Sequence, residues 1–133
     1  MPVTFAKWTD YRVKLYPIIQ QTEDRNNHRF AEEIDNALSN ERAFLFVGDD
    51  GFMVLQPVTE QGGTVSVNIM FAYNDGGDAM IRYQPVIEQL ARKIGACSVH
   101  FYTKVAGLVP IAEYIGYSLA SNQGGVQKFT KPL

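Results

Sequence analysis

The sequence predicts a mixed α/β fold: an antiparallel meander, a parallel βαβ unit with splayed strands and a closing hairpin share one sheet, with helices on both its faces. Three observations lead there. Two helical stretches precede a run of strand-like segments joined by Asp-Gly and Gly-Gly turns. A glycine-containing loop then leads from a strand into a long helix and on to another strand, the pattern of a right-handed parallel crossover. Finally, two short strand patterns flank Gly124 and Gly125 near the C-terminus.

Each element has its own signal. Residues 3–8 alternate well enough for a short strand. Thr9 or Asp10 can cap a helix with Tyr11, Leu15, Ile18 and Ile19 at helical spacing, and Pro17 predicts a kink or early break. A polar stretch over residues 20–27 separates it from a second helix, whose apolar face is Phe30, Ile34, Ala37 and Leu38 and whose solvated face is Glu32, Glu33 and Asp35. The apolar runs 43–47 and 52–55 flank Gly48, Asp49, Asp50 and Gly51, a hairpin signal in which both Asp residues serve as turn formers. A second turn is expected over 57–63. The strand 64–71 follows, with Val65, Val67 and Ile69 on one face and Thr64, Ser66 and Asn68 on the other.

After the loop 73–78, Asp78 is placed to cap a helix over 79–94, with Met80, Tyr83, Ile87, Leu90, Ala91 and Ile94 as its stripe, a bend at Pro85 and a stop at Gly95. A strand at 98–103, a short helix through Leu108, Ile111, Ala112 and Ile115, and a hairpin of 117–121 with 126–131 complete the order. Trp8, Tyr11, Phe44, Phe46, Phe52, Phe71 and Phe101 are expected in the core.

Composition narrows the function. The chain has 133 residues, 46% hydrophobic and 20% charged, which fits one domain spanning 1–133 with a substantial core. Twelve basic against fourteen acidic residues give a net charge of −2, which argues against a nucleic-acid partner. No apolar run reaches the length of a membrane span, and the N-terminus does not read as a secretory signal, so a cytoplasmic location is expected. One cysteine excludes an internal disulfide, and Cys97 with His28 and His100 makes a poor zinc set, so no metal is expected.

The segment that points to chemistry runs from Ile69 to Ala79. A glycine-containing loop between a strand and a helix N-terminus turns backbone N–H groups outward, where the helix dipole favours an anion. Read by itself, Asn74-Asp75-Gly76-Gly77 is more simply a flexible turn.

The order of elements and this loop resemble the GNAT superfamily of acyl-CoA-dependent N-acetyltransferases. That family's Arg/Gln-x-x-Gly-x-Gly/Ala signature has its counterpart in Asn74-Asp75-Gly76-Gly77-Asp78-Ala79, with Asn74 replacing the usual Arg or Gln. Residues 90–96 (LARKIGA) are similar to the helix end before the family's fifth strand, and 111–117 (IAEYIGY) to the close of its fourth helix. The resemblance implies acetyl-CoA as co-substrate. Its pantetheine arm would lie on the backbone of Met70, Phe71 and Ala72, and its pyrophosphate over the amides of Asn74, Asp75, Gly76, Gly77, Asp78 and Ala79.

The chain departs from the family pattern where catalysis is concerned. The position of the family's acid Tyr holds Ala112, Tyr114 and Tyr117 are off register, the expected Asn falls at about Val105, and no carboxylate lies on 64–71. An ordered water, His100 or Glu60 is left as base, with Asn68 the amide on the strand and Tyr114 a neighbouring phenol.

Three readings stay open. One is an N-acetyltransferase acting on a small-molecule or protein amine, with acceptor contacts expected from 20–42 and 57–63. Another is an inactive GNAT-fold binding or structural protein with a protein partner. In this respect the short chain is similar to phage-encoded GNAT-like proteins, some of them virion-associated. The third is an unrelated α/β domain, which would lack splayed strands. The closing hairpin offers an edge to a second copy. Cys97 reads as a small buried hydrophobe and His28 as a surface residue.

Overall fold

The computed structural model describes residues 3–26 and 29–133; His28 lies outside them. The elements are β1 (Thr4–Ala6), α1 (Trp8–Asn26), α2 (Ala31–Ser39), β2 (Phe44–Val47), β3 (Gly51–Thr59), β4 (Val65–Asn74), α3 (Ala79–Lys93), β5 (Ser98–Thr103), α4 (Leu108–Tyr114), β6 (Ser118–Gln123) and β7 (Val126–Pro132). The strands form a seven-stranded sheet in the order β1-β2-β3-β4-β5-β7-β6, antiparallel except where β4 meets β5. This is the expected mixed α/β arrangement of meander, parallel crossover and hairpin.

Helices cover both faces. Tyr83, Ile87 and Ala91 of α3 and Ala112 of α4 pack on Met53, Leu55, Val67, Ile69, Val99, Phe101 and Phe129. On the other face, Leu15 and Ile19 of α1 and Ile34, Ala37 and Leu38 of α2 pack on Leu45, Phe52, Val54 and Phe71. The unbroken apolar run of β3 follows from this, because each of its faces meets a helix layer.

Several expectations are corrected. α1 begins at Trp8, ahead of the residues expected to cap it, and continues through Pro17 and the polar stretch to Asn26. Pro17 and Val13 both lie on the exposed side, where the carbonyl left without an N–H partner faces water. Asp35 is not a solvated residue: it accepts hydrogen bonds from Trp8 Nε1 at 2.8 Å and from Arg12 Nε and Nη2 at 2.9 and 2.8 Å, joining α1 to α2. The Arg12 hydrogen bonds hold its carboxyl below the ordinary aspartate range. Glu23 performs the cap for α2, accepting the N–H groups of Phe30 and Ala31 at 2.7 and 2.8 Å.

Pro57 lies within β3 rather than in a turn. It sits beyond Leu55, where β3 has left β2 and is an edge, so its missing N–H breaks no ladder there. Ile94 and Cys97 are exposed, since the chain turns away from the core at Gly95, and Ala96 takes the buried position instead. Tyr11 of α1 is half-buried, as are Phe44 and Phe46 at the sheet's β1 margin. No helix among the described residues is long and apolar enough to cross a membrane.

Candidate active site

The site begins where β4 and β5 part. They pair only through Ser66–Ser98, Val67–Val99 and Asn68–His100. Beyond that point β5 stays with β7 and β4 with β3. The β3–β4 register jumps there: Val54 faces Phe71 while Leu55 faces Ile69, so Met70 is an extra residue in β4. This bulge changes the phase of the strand. Val67 and Ile69 serve the α3 side, whereas Met70 and Phe71 both pack toward α1 and α2.

The separation opens a cavity of about 720 Å³ that runs between the two sides of the sheet. Its α3 and α4 side is lined by Gly77, Asp78, Ala79, Met80, Ile81, Thr103, Val105, Leu108 and Ile111. Its α1 and α2 side is lined by Thr22, Asn26, Phe30, Glu33, Gln56, Glu60, Asn68, His100, Tyr102 and Lys128, with Met70, Phe71 and Ala72 between.

Of the nine residues expected to hold acetyl-CoA, Met70, Phe71, Ala72, Gly77, Asp78 and Ala79 line the cavity, and Asn74, Asp75 and Gly76 lie off it. Asn74 is 3% exposed and braces the loop from inside. Its Oδ1 accepts the Asp78 N–H at 2.9 Å and its Nδ2 donates to Asp78 Oδ1 at 2.6 Å. The cap expected of Asp78 is therefore not made: its side chain is held by Asn74 and bonds no amide of α3. The Asp75 N–H donates to the Asp50 carbonyl at 2.8 Å and the Gly77 N–H to the Asn74 carbonyl at 3.2 Å, so both amides are turned inward.

The first-turn amides of α3, at Ala79, Met80 and Ile81, have no acceptor within the helix, and all three residues line the cavity. From the sequence, Met80 belongs to the apolar stripe of α3 and Ile81 has no role, although a helix start implies such orphan donors. Gly77 adopts φ 77°, which an L side chain strains to reach.

Asp50, read from the sequence as a turn former, also supports the loop: its carboxylate accepts from Arg82 and, at 3.5 Å, from Asn74. Gly51 permits this approach, since a Cβ there would lie 2.0 Å from the Tyr73 carbonyl oxygen.

On the other side, His100 is 4% exposed and has no hydrogen-bond partner among the described residues; its ring meets that of Tyr102 edge-on with centroids 5.7 Å apart. Burial and the Lys128 charge lower its pKa to about 4 against a weaker opposing pull from Glu60, so the imidazole is neutral at pH 7. Asn68 Nδ2 donates to Gln56 Oε1 at 3.2 Å, while its buried Oδ1 has no donor. Glu60 accepts the Ser66 hydroxyl at 2.6 Å, which with the nearby Lys128 charge holds its carboxyl low.

Tyr114 is 82% exposed and off the cavity, because α4 turns its Ala112 side inward. Tyr117 is buried, donates to Gln84 Oε1 at 2.9 Å, and is raised above the ordinary tyrosine value by burial. Among the described residues, no group of three or more His, Cys, Asp or Glu could hold a metal ion.

No protein-family model and no curated protein matches the chain. Solved structures do match. A chain of the NatC complex bound to Gag peptide and CoA superimposes with a TM-score of 0.66 at 14% identity, covering 100% of this chain and 99% of that one. An acetyltransferase from Thermus thermophilus gives 0.67 at 10% identity, covering 100% and 98%. A GNAT-family acetyltransferase from Listeria monocytogenes gives 0.64 at 13% identity, covering 99% and 94%. The fold is therefore that of the GNAT acetyltransferases.

Proposed function

We propose that this GNAT-fold chain is an acyl-CoA-dependent N-acyltransferase, moving an acetyl group to an amine. The observation that carries the reading is the separation of β4 from β5 at Asn68 and His100, which leaves a cavity running from the first turn of α3 to the α1 and α2 side. The similar fold of a chain from the NatC complex, a complex bound to Gag peptide and CoA, supports it.

The residues present fit such a co-substrate on most counts. The Met70–Ala72 edge that turns from β5 suits an amide-bearing arm, and the first-turn amides of α3 suit a pyrophosphate. Asp78 is the exception, a carboxylate beside that anion site. Bound acyl-CoA would supply an activated thioester. The chain's part is to align an amine with it in a walled cleft. An N–C bond forms as the C–S bond breaks and the sulfur leaves with the electron pair. The nitrogen's proton passes to solvent in the cleft and the thiolate takes one from it. His100 is too weakly basic to retain the proton, so turnover requires an amine that arrives neutral.

A second reading, a GNAT-fold binding protein without turnover, draws on Ala112 at the acid position and the outward Tyr114. The test is a thermal-shift titration with acetyl-CoA beside free CoA and ATP, followed by thiol release with an amine panel. A shift specific to the CoA compounds, about 2.7 kcal/mol at a hundredfold excess over Kd, followed by thiol release is the expected result. A shift without thiol release selects the second reading, and no shift at millimolar ligand overturns the first.

A further inference from the structure

Lys128 is the one lysine or arginine lining the cavity among the described residues, and it makes no salt bridge among them. It is half-buried on β7, opposite Tyr102, with its Nζ 5.8 Å from that ring's centroid. The pairing puts it on the same face as His100 and Asn68, away from α3: Phe101 and Phe129 serve the α3 side, so the residues alternating with them point toward the α1 and α2 side. Lys128 is thus separated by the sheet from the helix terminus suited to a pyrophosphate. The acidic groups on its own side are Glu33, which is exposed, and Glu60, which is engaged by Ser66. Beside this cation stand the Asn68 Oδ1 acceptor, buried without a donor, and the His100 ring, which makes no side-chain hydrogen bond among the described residues.

We propose that the α1 and α2 side of the cleft selects an amine that also carries a carboxylate, an amino acid or a compact amino-carboxylate, with Lys128 holding the carboxylate and Asn68 Oδ1 and His100 receiving the amine. A half-buried cation lacking an ion-pair partner gains most from a ligand anion, and an orphaned carbonyl acceptor and a neutral imidazole each accept an N–H. A simple alkylamine would leave Lys128 with only the nearby Glu60 carboxylate, already engaged by Ser66, as a counter-charge. This assignment rests on the acyltransferase reading, so its test is built to fail separately.

The test measures acetyl-CoA-dependent thiol release with matched pairs: L-phenylalanine against phenethylamine, L-tyrosine against tyramine, and L-histidine against histamine. The amino acid of a pair should be favoured at least tenfold in kcat/KM. Lys128→Met should raise its KM at least tenfold and far more than that of the decarboxylated amine, so that the preference collapses, and Lys128→Arg should preserve the preference. Lys128→Gln serves if the Met variant does not fold, as judged by its melting curve. Equal or better use of the decarboxylated amines overturns this proposal and leaves acyl transfer standing. If no amine is turned over, saturation-transfer NMR of the same amino acids on the protein decides. Binding abolished by Lys128→Met supports the carboxylate site although the acyltransferase reading has failed, and no binding overturns the site.

Discussion

The two ends of the β4–β5 pair have opposite characters. At the closed end, Val67 and Val99 are buried side by side, the Cys97 N–H donates to the Val65 carbonyl at 2.8 Å, and the Leu133 N–H donates to the Cys97 carbonyl at 2.9 Å. At the open end the same strands continue, equally apolar, with no hydrogen bond between them. Strand propensity does not separate these ends. One inserted residue does: Met70 changes the phase of β4, and Phe71 then anchors on Phe52 and Phe30, with ring centroids 5.4 and 6.0 Å away. The packing partner of Phe71 lies under α2, on the side away from Ile69. A bulge converts continued pairing into a cleft.

His100 marks the boundary, and acid should reveal it most strongly. Its folded pKa lies at about 4, below the ordinary 6.5. Between those values the unfolded chain binds a proton that the folded one refuses, so stability is complete above pH 6.5 and falls as pH drops toward 4. The expected loss is on the order of 3 kcal/mol at roughly 1.4 kcal/mol per unit. Urea titrations across that range should show it, and His100→Asn should remove most of the slope.

The open end should break next. Gly77→Glu adds a side chain where φ is 77° and a carboxylate at the anion site. Acetyl-CoA affinity by calorimetry should fall at least a hundredfold, about 2.7 kcal/mol. Unchanged affinity would show that the loop does not hold the phosphates.

The smallest expected effect refines the same end. Asp78→Asn keeps an acceptor for Asn74 and removes a negative charge from the cavity lip, so acetyl-CoA should bind several-fold more tightly, more at low salt than at high. Equal affinity at both ionic strengths would place the pyrophosphate elsewhere.

Much of this was written locally. The sequence by itself determined the element order, the apolar run 52–55 of β3, the helix stop at Gly95, the β5 bounds and the glycine loop ahead of α3, since each depends on periodicity or turn chemistry within a few residues. It could not place Asn74, whose short side chain reads as an ordinary loop residue until the turn folds over it. Nor could it distinguish Asp35 from its solvated helix neighbours, because Trp8 and Arg12 arrive from another helix. Only the tertiary structure decided where β4 and β5 part, that Met70 is the inserted residue, and that Lys128 shares a cavity with Asn68 and His100. The physical reason is range: strand pairing and burial of a cation join segments distant in the chain, and no local pattern records which partner a half-buried side chain will meet or lack.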